Sequence, residues 1–339
     1  MRVVPWAINC VGVQTKLRST RFTSSQCQSR SRAMLAVRAG GAASAAALIC
    51  WIGFRLPPPT SSDFDQLHLA ARAVLSGRDP YEAVYEAVRA SGLAFPLFYP
   101  LPAVLLVLPL AWLPVELARV AWAAIGAGAL ALAAERYGRG LYVGMLSAPF
   151  LNAVLLGQWS PLITAAVAIP AISMVWAAKP PVGLALFAAW PSRQAAIAVG
   201  SILLLSSAVL PTWPARWIDA LANSIARAPL LLPGGFLLLL PLIRWRRAEA
   251  RLLVGLACVP QTVGFYELLP LFLVPRRRSE AYALAFLTYA AAFTATLVFP
   301  RIPQEPLEAV LLRRWPILLG LVYLPAVFLV LRPEPVARH

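Results

Sequence analysis

The chain has 339 residues, of which 60% are hydrophobic and only 13% are charged. An ordinary soluble domain carries about 25% charged residues, so this composition excludes a soluble protein with a normal water-facing surface. The 30 Lys and Arg residues exceed the 14 Asp and Glu residues, which in a soluble protein would suggest a nucleic-acid partner. Here the arginines form short clusters between apolar runs, as in cytoplasmic loops of membrane proteins, and we expect no nucleic-acid partner. The sequence therefore predicts an all-α integral membrane protein.

The N-terminal segment, residues 1–38, is basic, rich in Ser and Thr, and free of acidic residues. We expect it to be disordered or peripheral, with its positive charge keeping the N-terminus in the cytoplasm. A transit peptide has this composition. A start codon assigned too early is the alternative, and we favour it because Met34 stands just ahead of the first apolar run.

Apolar runs fill residues 39–335, which we predict to form a single multi-pass domain. The first run, Ala39 to Phe54, is shorter than the roughly 20 residues of a full crossing, and the flanking Arg38 and Arg55 can extend it by reaching the headgroups. We expect about nine to eleven membrane segments from runs of this length. The further runs cover residues 100–113, 117–134, 141–157, 160–178, 195–213, 228–243, 252–274, 281–300 and 315–331.

Three arginine clusters mark the predicted cytoplasmic side: Arg136 with Arg139, Arg244 to Arg251, and Arg276 to Arg278. Placing all three clusters on one side requires two apolar runs to enter and leave the membrane on the same side. The proline-rich run 100–113 and the run 252–274 are the best candidates, because proline and glycine break membrane helices. Pro260, Gly264 and Glu267 interrupt the second of these runs.

Acidic residues concentrate in one loop, residues 57–99, which this topology places outside the cytoplasm. Ser62 and Asp65 have the spacing of a capping box, which predicts a helix that starts there and ends before Gly77 and Pro80. Its apolar positions recur at helical spacing, so we expect an amphipathic helix along the membrane surface. The predicted apolar face consists of Phe64, Leu67, Ala71, Val74 and Leu75.

Four sequence pieces in this order resemble the family 87 glycosyltransferases. The pieces are the strings from Asp63 to Tyr81 and from Tyr99 to Pro114, the Gly157-Gln158-Trp159-Ser160 loop, and Ala178-Lys179-Pro180. The resemblance covers roughly residues 40–190. It implies a GT-C-like helical bundle and an inverting transfer of a hexose, with mannose as first candidate. The donor would be a polyprenyl-phosphate-linked sugar and the acceptor an envelope lipid or glycan, on the outer face of the inner (plasma) membrane. No cofactor is implied, because the lipid-linked sugar is itself a substrate.

The same resemblance implies an essential acid in the first extracytoplasmic loop. Polyprenyl phosphate is a fair leaving group, so the enzyme must mainly supply a base for the acceptor hydroxyl. Asp63 is the first candidate for this base, because it matches the Asp of the family's Asp-Phe pattern, and Asp65 is the second. Either residue can instead be a helix cap or a partner of the helix dipole, and this alternative suits Asp65 better.

Three basic side chains are candidates for substrate contact. His68 can orient the acid or the acceptor, or it can be a polar tip at the headgroups. Arg72 can bind the lipid phosphate or reach the membrane surface. Lys179 closes an apolar run, where it can bind phosphate or mark the topology.

Three uncharged residues complete the candidate substrate site. Tyr99 and Trp159 can stack on a sugar ring, although aromatic residues are common at membrane interfaces without any ligand. Gln158 lies beside Trp159 in the same short loop. Next to the proline-rich run, the spacing of Glu116 and Arg119 predicts an ion pair between them.

Two other functions remain open from the sequence. A transporter or lipid scramblase usually carries ionisable residues inside its spans, and often has inverted repeats. Here the apolar runs are nearly free of charge and five of the 14 acidic residues lie in the single outer loop, which favours an enzyme at the membrane surface. A catalytically inactive protein of envelope assembly is the third possibility. The four cysteines show no metal-binding spacing and no disulfide framework, so we expect no metal site.

Overall fold

A computed structural model describes residues 24–55, 62–91, 96–222, 224, 226–262, 264–300 and 306–333. These residues form helices and no β-strand, and an isolated bridge pairs Arg227 with Gln261. The predicted all-α class is therefore confirmed for the described part of the chain. The first eight α-helices are α1 (Ser24–Arg55), α2 (Asp63–Leu75), α3 (Pro80–Ser91), α4 (Leu101–Val107), α5 (Val115–Tyr137), α6 (Arg139–Gly144), α7 (Ala148–Leu155) and α8 (Ser160–Ala165).

The rest of the described chain contains seven more α-helices, and 3₁₀ segments occur in both halves. Its α-helices are α9 (Pro180–Ala189), α10 (Arg193–Val209), α11 (Trp213–Leu221), α12 (Ala248–Cys258), α13 (Arg278–Val298), α14 (Leu307–Leu318) and α15 (Leu324–Leu331). The 3₁₀ segments are Leu108–Leu110, Pro170–Ala178, Pro229–Leu231, Gly235–Arg244 and Phe265–Leu273, and a π-helical turn, Leu319–Tyr323, joins α14 to α15.

Four helices in the described part of the chain are long and apolar enough to cross a membrane. A fifth candidate is the pair α10 and α11, which is bent by 99°. The membrane class is confirmed, whereas most of the predicted nine to eleven segments are shorter or broken helices. The four candidate spans are Ala33–Arg55, Val115–Tyr137, Arg278–Val298 and Glu308–Leu331.

Both runs that were predicted to be interrupted are broken in the structure. In the first, α4 ends at Val107 and a 3₁₀ turn containing Pro109 follows. In the second, α12 ends at Cys258 and a 3₁₀ segment starts at Phe265. Proline removes a backbone donor and clashes with the preceding turn, which explains why neither run continues as one helix.

The N-terminal expectation needs a correction, because α1 begins at Ser24 and residues 24–38 are helical rather than disordered. This stretch contains no Gly and no Pro, the two residues that most disfavour helix, and it continues directly into the first candidate span. The rest of the expected tail, residues 1–23, lies outside the described residues. In the outer loop, residues 57–61 and 92–95 also lie outside them.

Contacts at the two ends of α5 separate the two sides of the bundle. Near its C-terminal end, Glu135 accepts a hydrogen bond from Arg38 at 2.5 Å, and Tyr137 donates to the carbonyl of Leu273 at 3.3 Å, close to the third arginine cluster. Near its N-terminal end, Arg119 pairs with Asp65 of the outer loop. The arginine clusters and the acidic loop therefore lie at opposite ends of the long helices.

Candidate functional site

The N-terminus of α2 is fixed by the predicted capping box. The Ser62 hydroxyl accepts from the Phe64 amide at 3.1 Å, and the Asp65 carboxylate accepts from the Ser62 amide at 3.1 Å. The end of the helix is also as predicted, since α2 stops at Leu75, just before Gly77 with its positive φ of 71°. The sequence thus located this helix correctly at both ends.

The surroundings of α2 differ from the prediction of a helix lying on the membrane surface. Phe64, Leu67 and Ala71 of the predicted apolar face are buried, but so is the polar His68. The helix packs against α3, α4 and α5, and the ring of Phe64 lies 5.6 Å from that of Trp122. The apolar face is therefore covered by protein, which brings the N-terminus of α2 into the bundle.

A glycine allows a second loop to touch this N-terminus. Gly157 has a φ of 64°, and a Cβ atom there would lie 2.7 Å from the Cβ of Phe64 and 2.8 Å from the Ser62 hydroxyl. Ser62 donates to the carbonyl of Leu156 at 2.8 Å, and Trp122 donates to the carbonyl of Gly157 at 3.1 Å. Only glycine tolerates both the backbone angle and the close approach. These contacts place Gln158 beside Asp63.

Gln158 links Asp63 to Tyr99. Its amide nitrogen donates to Oδ2 of Asp63, and its amide oxygen accepts from the Tyr99 hydroxyl at 3.4 Å. Burial raises the pKa of the Asp63 carboxyl, and the hydrogen bond from Gln158 offsets part of that rise. Burial and the neighbouring Asp63 hold the pKa of Tyr99 well above its usual value, so its hydroxyl stays a neutral donor.

A buried ion pair adjoins this group. The ammonium of Lys179 lies 2.7 Å from Oε1 of Glu267 and 4.6 Å from the ring centre of Tyr266. Both charges act on Asp63: Lys179 lowers its pKa and Glu267 raises it. Beside the pair is a cavity of about 10 Å³. The residues that line it are Ser160, Ile163, Lys179, Val182, Glu267 and Pro270.

The site therefore brings together four residues that the sequence proposed separately, Asp63, Tyr99, Gln158 and Lys179. It adds Glu267, whose side chain is 1% exposed. The sequence singles out Glu267 as an interruption of the apolar run 252–274 and assigns it no role in the site. A lone carboxylate inside such a run indicates a functional residue by itself. Burying an ionisable group in a membrane segment is costly, and such groups are usually functional.

Asp65 points away from this group, toward α5. Its carboxylate accepts two hydrogen bonds from the guanidinium of Arg119, which also lies 4.2 Å from the ring centre of Phe54 in α1. The predicted ion pair between Glu116 and Arg119 is therefore wrong, because a buried partner across the bundle holds Arg119 instead. In this arrangement Asp65 caps α2 and ties it to two other helices.

The other three candidates contact other groups or solvent. The ring of His68 is hydrogen-bonded to the carbonyl of Leu113 at 3.0 Å. Trp159 is fully buried, with its ring edge-on to Trp122 at 4.6 Å, so the expected stacking of Trp159 on a sugar does not fit its position. Arg72 is exposed in the last turn of α2, at the far end of the helix from Asp63.

The pair between Asp65 and Arg119 leads to a prediction about stability. Their side chains are only 13% and 15% exposed, so Asp65→Asn leaves a guanidinium buried without its counter-charge. We expect the free energy of unfolding to fall by about 3 kcal/mol, the range for breaking a buried pair from one side. Thermal unfolding in detergent measures it. Glu86→Gln, which removes an exposed pair with Arg78, is the control and should change little.

Comparison of the chain with protein-family models, with curated proteins and with solved structures finds no match. The resemblance to the family 87 glycosyltransferases therefore stays a prediction from the sequence pieces quoted above. Within the described residues, no group of three or more His, Cys, Asp or Glu side chains could hold a metal ion. The side chains that do converge are two carboxylates, an ammonium, an amide and two phenols, a set suited to proton transfer and to binding an anion.

Proposed function

We propose that the chain is a membrane glycosyltransferase that moves a hexose from a polyprenyl-phosphate carrier to a lipid or glycan acceptor. Mannose is the first candidate for the sugar, and the reaction inverts the anomeric centre. The observation that carries this proposal is the partly buried carboxylate of Asp63, which accepts a hydrogen bond from Gln158 and whose pKa is lowered by the charge of Lys179. A base and a cation that act on each other within one site match what the reaction needs.

Asp63 is the proposed base. In this mechanism the acceptor oxygen attacks the anomeric carbon, its proton passes to Asp63, and the bond to the carrier phosphate breaks. Gln158 donates to Oδ2, and we assign Oδ1 to the acceptor hydroxyl. A carboxylate with a raised pKa is a stronger base than an ordinary aspartate, which favours proton transfer from an alcohol.

Lys179 is the proposed contact for the carrier phosphate. Lysine binds phosphate as a point charge, and an ammonium beside the reacting carbon stabilises the negative charge that develops on the leaving group. In the structure this ammonium is paired with Glu267 at 2.7 Å, so the phosphate competes with that carboxylate. Glu267 thereby holds Lys179 in place between two turnovers.

A transfer assay tests this function. The purified protein is incubated with radiolabelled polyprenyl-phosphate mannose and a total lipid extract, and labelled products are separated. We expect a labelled product with the anomeric configuration opposite to that of the donor. If polyprenyl-phosphate hexoses of several kinds give no labelled product with any acceptor fraction, the proposal is wrong.

The proposal requires the site to face the extracytoplasmic side of the inner membrane, with the N-terminus in the cytoplasm. Single cysteines replacing Ser76 and Ser279, in a chain lacking the four native cysteines, report the two ends of the bundle. Both serines are exposed. We expect an impermeant maleimide to label Ser76→Cys on whole cells and Ser279→Cys only after the cells are opened. The opposite pattern would place the carrier lipid on the wrong side.

A transporter or lipid scramblase is the second candidate, and the pair between Lys179 and Glu267 favours it. Ionisable residues buried among membrane segments often line a substrate path. In proteoliposomes, movement of the lipid-linked sugar between leaflets without transfer to an acceptor would support this candidate. Transfer that depends on Asp63 would support the enzyme.

A further inference from the structure

The carboxylate of Glu267 depends on a single partner. Its side chain is 1% exposed, and the ammonium of Lys179 lies 2.7 Å from Oε1. Apart from this ammonium, neither carboxylate oxygen has a hydrogen-bond partner in the described part of the chain. Asp65 differs, because its carboxylate accepts from the guanidinium of Arg119 and from the amide of Ser62. The negative charge of Glu267 is therefore stable only while Lys179 stays beside it.

A phosphate cannot bind between the two charges of this pair. The cavity beside them has a volume of about 10 Å³, which is roughly the room that one water molecule needs and too little for a phosphate. The side chain of Lys179 is 18% exposed, whereas that of Glu267 is almost fully enclosed. The ammonium is therefore the partner that can turn toward a ligand. To contact a phosphate, Lys179 has to leave Glu267 without a counter-charge.

A proton on Glu267 keeps the charge of the site balanced when Lys179 moves. The ion pair has no net charge. An ammonium that faces a phosphodiester, which carries one negative charge, also has none, provided that Glu267 is neutral. Without the proton, one uncompensated negative charge would remain inside the bundle, and burial favours the neutral form of a carboxyl group. The small cavity gives water a place beside the carboxylate, through which the proton can arrive.

Other titratable groups also interact electrostatically with Glu267. They are Lys179, Tyr266, Asp63, Tyr99 and Tyr323. Of the helices packed against the segment Phe265–Leu273, α7 and α8 carry no titratable side chain. Tyr142 of α6 donates to Glu135, and Glu280 of α13 accepts from the backbone at the start of its own helix. The other titratable residues of α13 are exposed, namely Arg278, Tyr282 and Tyr289.

Glu267 is the group in this set that takes up the proton. The tyrosines are already neutral, and Lys179 has to stay charged to attract the phosphate. The carboxylate of Asp63 accepts a hydrogen bond from the amide of Gln158, which favours its charged form. Glu267 has no such donor once Lys179 has turned away.

We propose that the lipid-linked phosphate binds together with one proton, which Glu267 holds while Lys179 contacts the phosphate. This inference rests on the phosphate contact proposed for Lys179, but not on the transfer of the sugar. Water or buffer gives up the proton on binding and takes it back when the carrier leaves and Lys179 returns to Glu267. Because the bound state holds one more proton than the free state, binding is tighter at low pH and weakens as the pH rises.

Isothermal titration calorimetry counts the protons. The full chain in detergent is titrated, without any acceptor, with polyprenyl-phosphate mannose, whose phosphodiester does not itself titrate near neutral pH. The titration is repeated at the same pH in buffers with different heats of ionisation. We expect uptake of about one proton per carrier, and an affinity that falls by roughly tenfold for each pH unit over the range of full uptake.

Three variants locate the proton. Glu267→Gln removes both the titrating group and the competitor for Lys179, so it should bind the carrier without proton uptake and without this pH dependence. Glu86→Gln is the matched control, because it removes an exposed glutamate, and it should keep the wild-type uptake. Asp63→Asn should also keep the uptake, since the proton is on Glu267.

Infrared difference spectroscopy serves if Glu267→Gln fails to fold. In Asp63→Asn, carrier binding should produce the carbonyl band of a protonated carboxyl group, with a shift in heavy water. Carrier binding without proton uptake, or uptake that disappears in Asp63→Asn, would overturn the inference. Uptake that depends on Glu267, in a protein that transfers sugar to no acceptor, would support the inference and contradict the proposed enzyme. Absence of carrier binding would overturn both the inference and the phosphate contact.

Discussion

Asp63→Asn is expected to reduce sugar transfer by about 10²–10⁴-fold, the usual contribution of a general base. This corresponds to roughly 3–5 kcal/mol of transition-state stabilisation at about 1.4 kcal/mol per decade. Asparagine keeps the shape of the side chain and still accepts the hydrogen bond from Gln158, but it has no basic oxygen for the acceptor's proton. The assay is transfer from the radiolabelled carrier at saturating donor.

The same substitution should leave the stability of the fold intact. Because burial raises the pKa of Asp63, the folded state disfavours its charged form. The stabilising contribution of this carboxyl is therefore present below its unfolded pKa and is lost as the pH rises through the raised folded value. Asparagine removes this penalty, so at neutral pH Asp63→Asn should unfold at the wild-type temperature or above it.

The pH profile gives a further check on this residue. A base must be deprotonated, so wild-type transfer should fall with decreasing pH at a higher pH than for an ordinary aspartate. Asp65→Asn is the comparison: it should lose stability through Arg119 and keep the shape of the pH profile. Retention of more than about a tenth of wild-type transfer by Asp63→Asn would mean that Asp63 is not the base, given the expected loss.

Local features of this protein could be predicted from the sequence because they depend on near neighbours in the chain. The capping box of Ser62 and Asp65 needs only a four-residue pattern, and the breaks near Pro109 and Pro260 follow from the chemistry of proline. The membrane class follows from composition alone. The lengths of the helices cannot be predicted in the same way, because broken apolar segments have the same hydropathy as continuous ones.

Contacts between distant parts of the chain could not be predicted in this way. Nothing near Arg119 in the sequence indicates that it pairs with Asp65, and the local spacing pointed to Glu116 instead. The meeting of Asp63 with Gln158 depends on Gly157, whose close approach to α2 becomes visible only in three dimensions. The sequence resemblance includes the segments that contain Asp63 and Gln158, but it gives no distance between these two residues.

The pair of Lys179 and Glu267 gives the second large effect. Lys179→Met leaves Glu267 buried without its counter-charge, since its side chain is only 1% exposed. We expect the free energy of unfolding to fall by about 3–5 kcal/mol. Glu267→Leu should be destabilising for the same reason. The double variant should recover most of the loss, because an apolar pair of similar volume replaces a buried ion pair at little cost.

The double variant also separates the structural role of Lys179 from the proposed phosphate contact. Thermal unfolding of the wild type, the two single variants and the double variant gives the coupling between the residues. Binding of polyprenyl phosphate to the same four proteins gives the functional role. If Lys179 binds the carrier phosphate, the double variant is stable but binds the carrier at least about tenfold more weakly, as expected for the loss of one charge-assisted contact. A stable double variant that binds the carrier as tightly as the wild type would show that Lys179 stabilises the fold and does not bind the carrier phosphate. A Lys179→Met variant as stable as the wild type would show instead that the ion pair does not stabilise the fold.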